Sequence, residues 1–182
     1  MQRVTIAFNS GLVALVLLVP LAARAQQWPF GYGPSISVEA ARKVAAGAVA
    51  EARKNGWNVA VAVTDTAGIL VFYEKMDGTQ VGSAPVAVEK AHSSALFRRP
   101  TKSFEDAVNS GKTNYLALRG AVPLEGGLPI VVEGKIIGAV GVSGATSAQD
   151  GTCAKAGAAV LGPLPVIPSP PAAAKPPEPA GK

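Results

Sequence analysis

A strand that carries glycine at two positions limits what this chain can fold into. The segment GAVGVSGATSAQD, residues 138–150, alternates valine with glycine and alanine, then continues with small hydroxyl residues and ends at an acid. Glycine weakens a strand because it has no side chain to pack, so it usually marks a close neighbour. The segment therefore predicts a helix or a second subunit packed closely on this strand. The alternative is a ligand at the start of the following helix, where free amide groups favour anions.

Helical and strand-like patterns alternate along the rest of the chain. Ser37 is placed to cap a first helix that ends at Gly56. Thr146 and Gln149 have the spacing of a capping box for the last helix. Because hairpins pair strands antiparallel, we predict an α+β fold with a mainly antiparallel sheet covered by helices. The predicted helices cover residues 38–55, 84–97, 102–109 and 147–161, and the predicted hairpins cover 59–74 and 128–143.

The amino-terminal residues have the pattern of an export signal. Arg3 precedes an apolar run at 11–21, and the sequence ARA at 23–25 has the small-x-small form of a cleavage site. Together they predict a secretory signal peptide over residues 1–25. The apolar run is shorter than the roughly 20 residues of a spanning helix, which favours cleavage over the alternative of an uncleaved anchor. Cleavage would leave no stable membrane span. We expect a periplasmic or secreted protein.

The remaining chain divides into three parts. Residues 26–35 are interpreted as an amino-terminal linker, and 36–161 as one domain of ordinary size. Eight of the 21 residues from 162 to 182 are proline. Such a composition predicts an extended, disordered tail.

Composition excludes several classes of function. Without the signal peptide, 15 of the 17 basic residues stand against 12 acidic ones, a net charge of +3, and no basic stripe carries interleaved aromatics. Nucleic acid is therefore not an expected partner. Cys153, the only cysteine, excludes an internal disulfide and a site of several thiolates, and we interpret it as a small buried side chain. No hydrolase motif accompanies the single histidine, so we find no catalytic constellation.

Three segments resemble a known family: EARKNGWNVAVAVTD, EKAHSSALFRRPTKSFE and GAVPLEGGLPIVVEGKIIGAVGVSGATSAQDGTCAKAG. They resemble the GlcG/HbpS-like haem-binding family, whose relatives include the C-terminal domain of the PduO adenosyltransferase. The resemblance covers residues 37–161. It implies a profilin-like α/β/α arrangement around a five-stranded, mainly antiparallel sheet. It also implies homo-oligomers and a role in haem storage, transport, sensing or degradation.

Four residues in and after the second predicted helix are candidates for binding haem. His92 is the candidate ligand of the haem iron, because histidine is a common axial ligand. The alternative is an ordinary helix histidine that is exposed or partly packed. The family usually carries another residue type at His92 and at Cys153, so a role for either side chain depends on its chemistry in this chain. Arg98 and Arg99 suit haem propionates, since guanidinium groups pair with carboxylates. Alternatively, both are solvated and stabilise the helix end through its dipole. Thr101 offers a hydroxyl, which alternatively caps the next helix.

Two other functions remain open at this stage. One is a binding module or enzyme for a small 2-hydroxy or dicarboxylic acid, held by the amide groups at the start of the last helix. The other is an oligomeric scaffold without a ligand, whose interface uses the strand with Gly138 and Gly141. We interpret Met76 and Tyr73 as packing residues rather than iron ligands.

Overall fold

The computed structural model describes residues 30–164. The predicted signal peptide, residues 26–29 of the predicted linker and the tail from residue 165 lie outside the described residues, so their interpretations stay predictions. Within 30–164, none of the helices has both the length and the apolar character needed to cross a bilayer.

The described part contains the predicted helices and hairpins in the predicted order. Residues 113–127, where the sequence shows no clear pattern, begin with a short 3₁₀ helix at Thr113–Ala117. The four α-helices are α1 (Val38–Lys54), α2 (Ser83–Phe97), α3 (Lys102–Asn109) and α4 (Ser147–Ala159). The five strands are β1 (Gly31–Tyr32), β2 (Ala60–Thr64), β3 (Leu70–Lys75), β4 (Gly127–Val132) and β5 (Lys135–Ser143).

The predicted ends of α1 and the start of α4 are confirmed by their caps. The hydroxyl of Ser37 accepts a hydrogen bond from the backbone N–H of Ala40 at 3.2 Å. Gly56, just after α1, has a φ of 71°, which favours glycine. At α4, the side chains of Thr146 and Gln149 form both halves of a capping box. These caps fix helix ends through contacts that are local in sequence.

β5 is the central strand of the five-stranded sheet. It pairs antiparallel with β4 along one edge and with β2 along the other, and β3 pairs with β2. β1 pairs parallel with the start of β5, where Gly31 lies opposite Lys135. The sheet is thus mainly antiparallel, as predicted. β1 differs from the prediction, because the sequence predicts a linker over residues 26–35.

The two faces of the sheet are packed by different side chains. On β2, Val61 and Val63 belong to the large core beneath α1 and α4, whereas Ala60 and Ala62 pack against α2. Fully burying a valine contributes roughly 1.5–3 kcal/mol, so the larger core carries most of the apolar burial. The alanines on the other face let α2 approach the sheet closely. The three layers match the α/β/α arrangement that the family resemblance implied.

Both glycines of β5 are explained by close packing within the chain. A Cβ at Gly141 would collide with the α2 backbone at Ala87 and Ala91, and a Cβ at Gly138 would collide with the Thr64 carbonyl oxygen. The prediction of a helix packed closely on this strand is confirmed. Because this chain itself fills the space at both glycines, they give no support to a subunit interface there.

Candidate functional site

His92 lies in the second half of α2 and is half-buried beside the turn that joins β2 to β3. Its Nδ1 is 3.0 Å from the carbonyl oxygen of Gly68. A carbonyl oxygen only accepts hydrogen bonds, so this contact requires the proton on Nδ1 and leaves the lone pair on Nε2. Histidines that bind metals usually donate their second ring N–H in this way. The local geometry therefore suits an iron ligand.

Arg98 follows directly at the end of α2. It takes the left-handed conformation, with a φ of 53°, which is uncommon for a residue other than glycine. Its guanidinium carbon is 5.7 Å from the ring centroid of Tyr32, and its side chain is exposed. The Tyr32 hydroxyl in turn donates to the carbonyl oxygen of Ala95 at 2.8 Å. The short strand β1 thus holds the end of α2 in place.

Arg99 is more enclosed than Arg98. Its Nε donates to the carbonyl oxygen of Phe97 at 3.2 Å, and its guanidinium carbon lies 5.6 Å from the ring centroid of Phe104. Phe104 contacts the ring of Phe97 edge-on at 5.3 Å and the ring of Tyr115 at 5.8 Å. This aromatic cluster joins α2, α3 and the 3₁₀ helix, and the Arg99 guanidinium lies beside one of its rings.

Exposed leucines lie in α2 and in the segment 113–124. Leu96 is 41% exposed and faces Gly120, where a Cβ would lie 4.0 Å from its methyl carbon. The segment 113–124 is held against α2 by the N–H of Val122, which donates to the hydroxyl of Ser93 at 3.1 Å. It carries three further exposed leucines, Leu116, Leu118 and Leu124. Apolar side chains of this size left in solvent are typical of a binding surface when they adjoin charged groups.

Thr101 does not belong to this exposed surface. It is completely buried, its hydroxyl donates to the carbonyl oxygen of Leu124 at 2.6 Å, and it accepts from the N–H of Gly127 at 2.9 Å. It does not cap α3 through its side chain, so that alternative is wrong. The hydroxyl instead fastens the start of β4, and its burial makes it unavailable to a ligand that binds outside α2.

A buried ion pair joins α2 to α4. The sequence indicates that Lys90 either binds an anion or pairs with an acid, but it does not identify Asp150 as the partner. The Nζ of Lys90 lies 2.9 Å from Oδ2 of Asp150, and each side chain is 3% exposed. Lys90 also donates to the carbonyl oxygen of Val142 at 3.1 Å, while Oδ1 of Asp150 accepts from the N–H of Ala145 at 3.0 Å. Burial raises the pKa of Asp150, and the hydrogen bond and charge of Lys90 oppose that rise. The sequence feature that indicates a buried ion pair is a lysine on the alanine-rich inner face of α2.

The glycines of the PLEGG sequence and of α4 make room for these charged side chains. A Cβ at Gly126 would stand 2.8 Å from the Nζ of Lys90, and a Cβ at Gly151 would overlap the side chain of Glu125. The Glu125 carboxylate lies 3.4 Å from the Nζ of Lys155. Within residues 30–164, no group of three or more histidine, cysteine, aspartate or glutamate side chains is arranged to hold a metal ion.

Side chains of the chain itself already bind three amide groups at the start of α4, those of Ala145, Thr146 and Gln149. Thr146 and Gln149 cap the first turn with their own side chains. The carboxylate of Asp150 bonds the N–H of Ala145 and is paired with Lys90. A second carboxylate at this place would meet a negative charge, so the geometry gives no support to a site for a 2-hydroxy or dicarboxylic acid.

The other sequence candidates are packing residues. Met76 packs against the larger core, and Tyr73 packs against the alanines between the sheet and α2. Cys153 is fully buried, and burial is the main cause that raises the pKa of its thiol to about 11. The interpretation of Cys153 as a small buried side chain is confirmed.

The chain is similar to several known proteins. The family model described as "Haem degrading protein HbpS-like" matches residues 36–159. Protein GlcG of Escherichia coli strain K12 is 47% identical over 108 residues, which cover 59% of this chain and 81% of GlcG. A crystal structure of a double mutant of Streptomyces reticuli HbpS has a TM-score of 0.66 and 28% identity, and the match covers 89% of this chain and 99% of that one. The crystal structure of a PduOC:heme complex has a TM-score of 0.64 and covers 70% of this chain and 95% of its own; at 24% identity it shows likeness of fold alone.

Proposed function

Because the chain belongs to the family described as haem degrading protein HbpS-like, we propose that it is an exported haem-binding protein. Haem would bind on the solvent side of the second half of α2, next to the segment 113–124. The observation that carries this proposal is His92, whose Nδ1 is engaged by the Gly68 carbonyl and whose Nε2 is left as an iron ligand.

The neighbouring residues suit the two other parts of a haem molecule. The exposed leucines of α2 and of the segment 113–124 suit the apolar porphyrin ring. Arg98 lies six residues after His92, roughly 9 Å along a helix at 1.5 Å per residue, although the helix itself ends at Phe97. That distance is within the dimensions of haem. The exposed guanidinium of Arg98 and the half-buried one of Arg99 are placed to pair with propionates. Bound haem would supply iron for ligand binding or redox chemistry, while these side chains hold and orient it.

Hemin titration of the purified protein tests the proposal. We expect a saturable shift of the Soret band at one haem per subunit, and H92A should change the position of that band. Adsorption that does not saturate and disappears in detergent would contradict specific binding. A parental spectrum in H92A would exclude His92 as the iron ligand.

A matched pair of double variants tests the arginines. R98A/R99A should weaken hemin binding without moving the Soret band, because each charge-assisted hydrogen bond lost costs about 1.5–3 kcal/mol, and less where it is exposed. R53A/K54A removes the same charge from the exposed face of α1, on the other side of the sheet. It should bind hemin like the parent. Equal weakening in both double variants would indicate a general charge effect rather than propionate contacts.

We also propose that the mature protein begins near Gln26 outside the cytoplasm and assembles as a homo-oligomer. The signal-peptide pattern supports the first statement, and the family resemblance supports the second. Amino-terminal sequencing of exported material and light scattering at micromolar concentration test them. A first residue of Met1, or a monomer mass throughout, would contradict the respective statement.

A further inference from the structure

The turn between β2 and β3 is held by a side chain as well as by its backbone. Oδ1 of Asp65 accepts hydrogen bonds from the N–H groups of Ala67 and Ile69, both at 2.8 Å. The N–H of Asp65 donates to the carbonyl oxygen of Ile69 at 2.9 Å. The N–H of Gly68 donates to the carbonyl oxygen of Asp65 at 3.1 Å. One carboxylate thus binds the backbone on both sides of Gly68 and fixes the direction in which the Gly68 carbonyl points.

That carbonyl is the hydrogen-bond partner of the His92 ring. Gly68 has a φ of 79°, and a Cβ at this position would stand 2.6 Å from the Nδ1 of His92. Glycine is therefore required both by the backbone conformation and by the closeness of the imidazole. The turn therefore contacts α2 through a hydrogen bond between the Gly68 carbonyl and the His92 ring, and the two residues are 24 positions apart in sequence.

We propose that Asp65 is a positioning residue for the His92 imidazole and acts through the carbonyl of Gly68. Asp65 holds the turn, the turn directs the carbonyl, and the carbonyl keeps the proton on Nδ1 and the lone pair on Nε2. The effect of Asp65 on iron ligation rests on the proposed function. Its effect on the tautomer of the imidazole does not, because that effect is measured in the haem-free protein.

Nitrogen-15 NMR of the haem-free protein, at a pH where the imidazole is neutral, tests the first part. We expect the Nδ1–H tautomer to dominate in the parent and to lose that dominance in D65A. D65N keeps an oxygen that can accept from Ala67 and Ile69, so it should keep the parental tautomer. Dominance of the Nδ1–H tautomer in D65A, or its loss in D65N to the same extent as in D65A, would overturn the proposal.

A pair of glycine variants tests the same contact from the other side. G68A and G134A each place alanine at a positive φ, 79° and 71°, but nothing lies within 4 Å of a Cβ at Gly134. Both variants should lose stability from backbone strain, whereas only G68A should disturb the imidazole and the spectrum with hemin. Equal spectra in the two variants would show that the turn does not position His92.

Hemin spectra separate this inference from the proposed function. With hemin, D65A should shift the Soret band from its parental position while D65N retains that position. In H92G with added imidazole, D65A should have no further effect, because the turn acts only through the His92 side chain. If H92A and the parent give identical spectra, the proposed iron ligand is wrong while the tautomer result still stands. If H92A differs but D65A does not, the positioning role is wrong.

Discussion

Replacing Lys90 with methionine should destabilise the fold by about 3–5 kcal/mol at neutral pH, because it removes one partner of a buried ion pair. Asp150 would keep the hydrogen bond from Ala145 but would lose the ammonium group 2.9 Å away, at a site where its side chain is 3% exposed. Methionine has nearly the length of lysine and can fill the same space. The loss of stability therefore reports the uncompensated carboxylate rather than a cavity.

The pH dependence of this loss has a definite sign. Burial raises the pKa of Asp150, and Lys90 opposes the rise, so removing Lys90 should raise that pKa further. A carboxyl group whose pKa is higher in the folded state than the unfolded value of about 3.9 favours folding when it is protonated. The deficit of K90M relative to the parent should thus be largest above the folded pKa of Asp150. It should shrink as the pH falls from the folded pKa of Asp150 in K90M to the lower folded pKa of Asp150 in the parent.

Urea unfolding followed by circular dichroism at several pH values measures both effects. K90M/D150N removes the charge while keeping an acceptor for Ala145, and it should recover much of the lost stability. K43M breaks an exposed ion pair on α1 and should leave the unfolding midpoint unchanged. A K90M deficit under 1 kcal/mol, or one that does not shrink in acid, would refute the reasoning. If K90M does not fold, folding of K90M/D150N alone still supports it.

Three further outcomes follow from the packing and from the sequence. G141A should cost about 3 kcal/mol or more in urea unfolding, because its Cβ would collide with the α2 backbone, and folding at parental stability would contradict that close approach. Cys153, with its pKa raised to about 11 by burial, should react with thiol reagents only after unfolding, and rapid labelling of the native protein would contradict its burial. Deleting residues 162–182 should leave the melting cooperative and hemin binding intact, and loss of either would show that the tail is needed.

The fold could largely be predicted because its signals are local. The caps of α1 and α4, the hairpin turns and the alternation of small and branched residues each lie within a few residues of the element they specify. β1 escaped prediction because Gly31 and Tyr32 carry no pattern of their own and become a strand only through pairing with β5. The resemblance to a family supplied the five-stranded arrangement that local patterns could not.

The candidate site was only partly predictable because its contacts join distant segments. His92 and the arginines were identified by residue type, but the bond between His92 and Gly68 spans 24 residues and has no motif. Thr101 was assigned to a ligand or a cap because both roles depend on neighbouring residues in sequence. Its actual partners, Leu124 and Gly127, are more than 20 residues away.

Two of the segments that carry the family resemblance meet at the buried ion pair. Lys90 belongs to EKA, Gly126 to LEGG and Asp150 to the end of GVSGATSAQD, and the three meet between α2, β4 and α4. The arrangement indicates that these motifs maintain the fold. Haem binding, as proposed, would then depend on other side chains of the same segments, including His92.

We therefore expect one variant to change haem ligation with little effect on stability, and another to change stability with little effect on haem ligation. H92A removes one hydrogen bond from a half-buried ring, worth about 1 kcal/mol, so its melting temperature should fall by only a few degrees while the hemin spectrum changes. K90M/D150N keeps His92 and the surface outside α2, so at saturating hemin it should give the parental spectrum even where its stability is lower. Melting curves and hemin titrations of both variants measure the two properties independently. If K90M/D150N binds hemin with an altered Soret band while H92A does not, the iron ligand depends on the ion pair, and the division between fold and site argued from this structure is wrong.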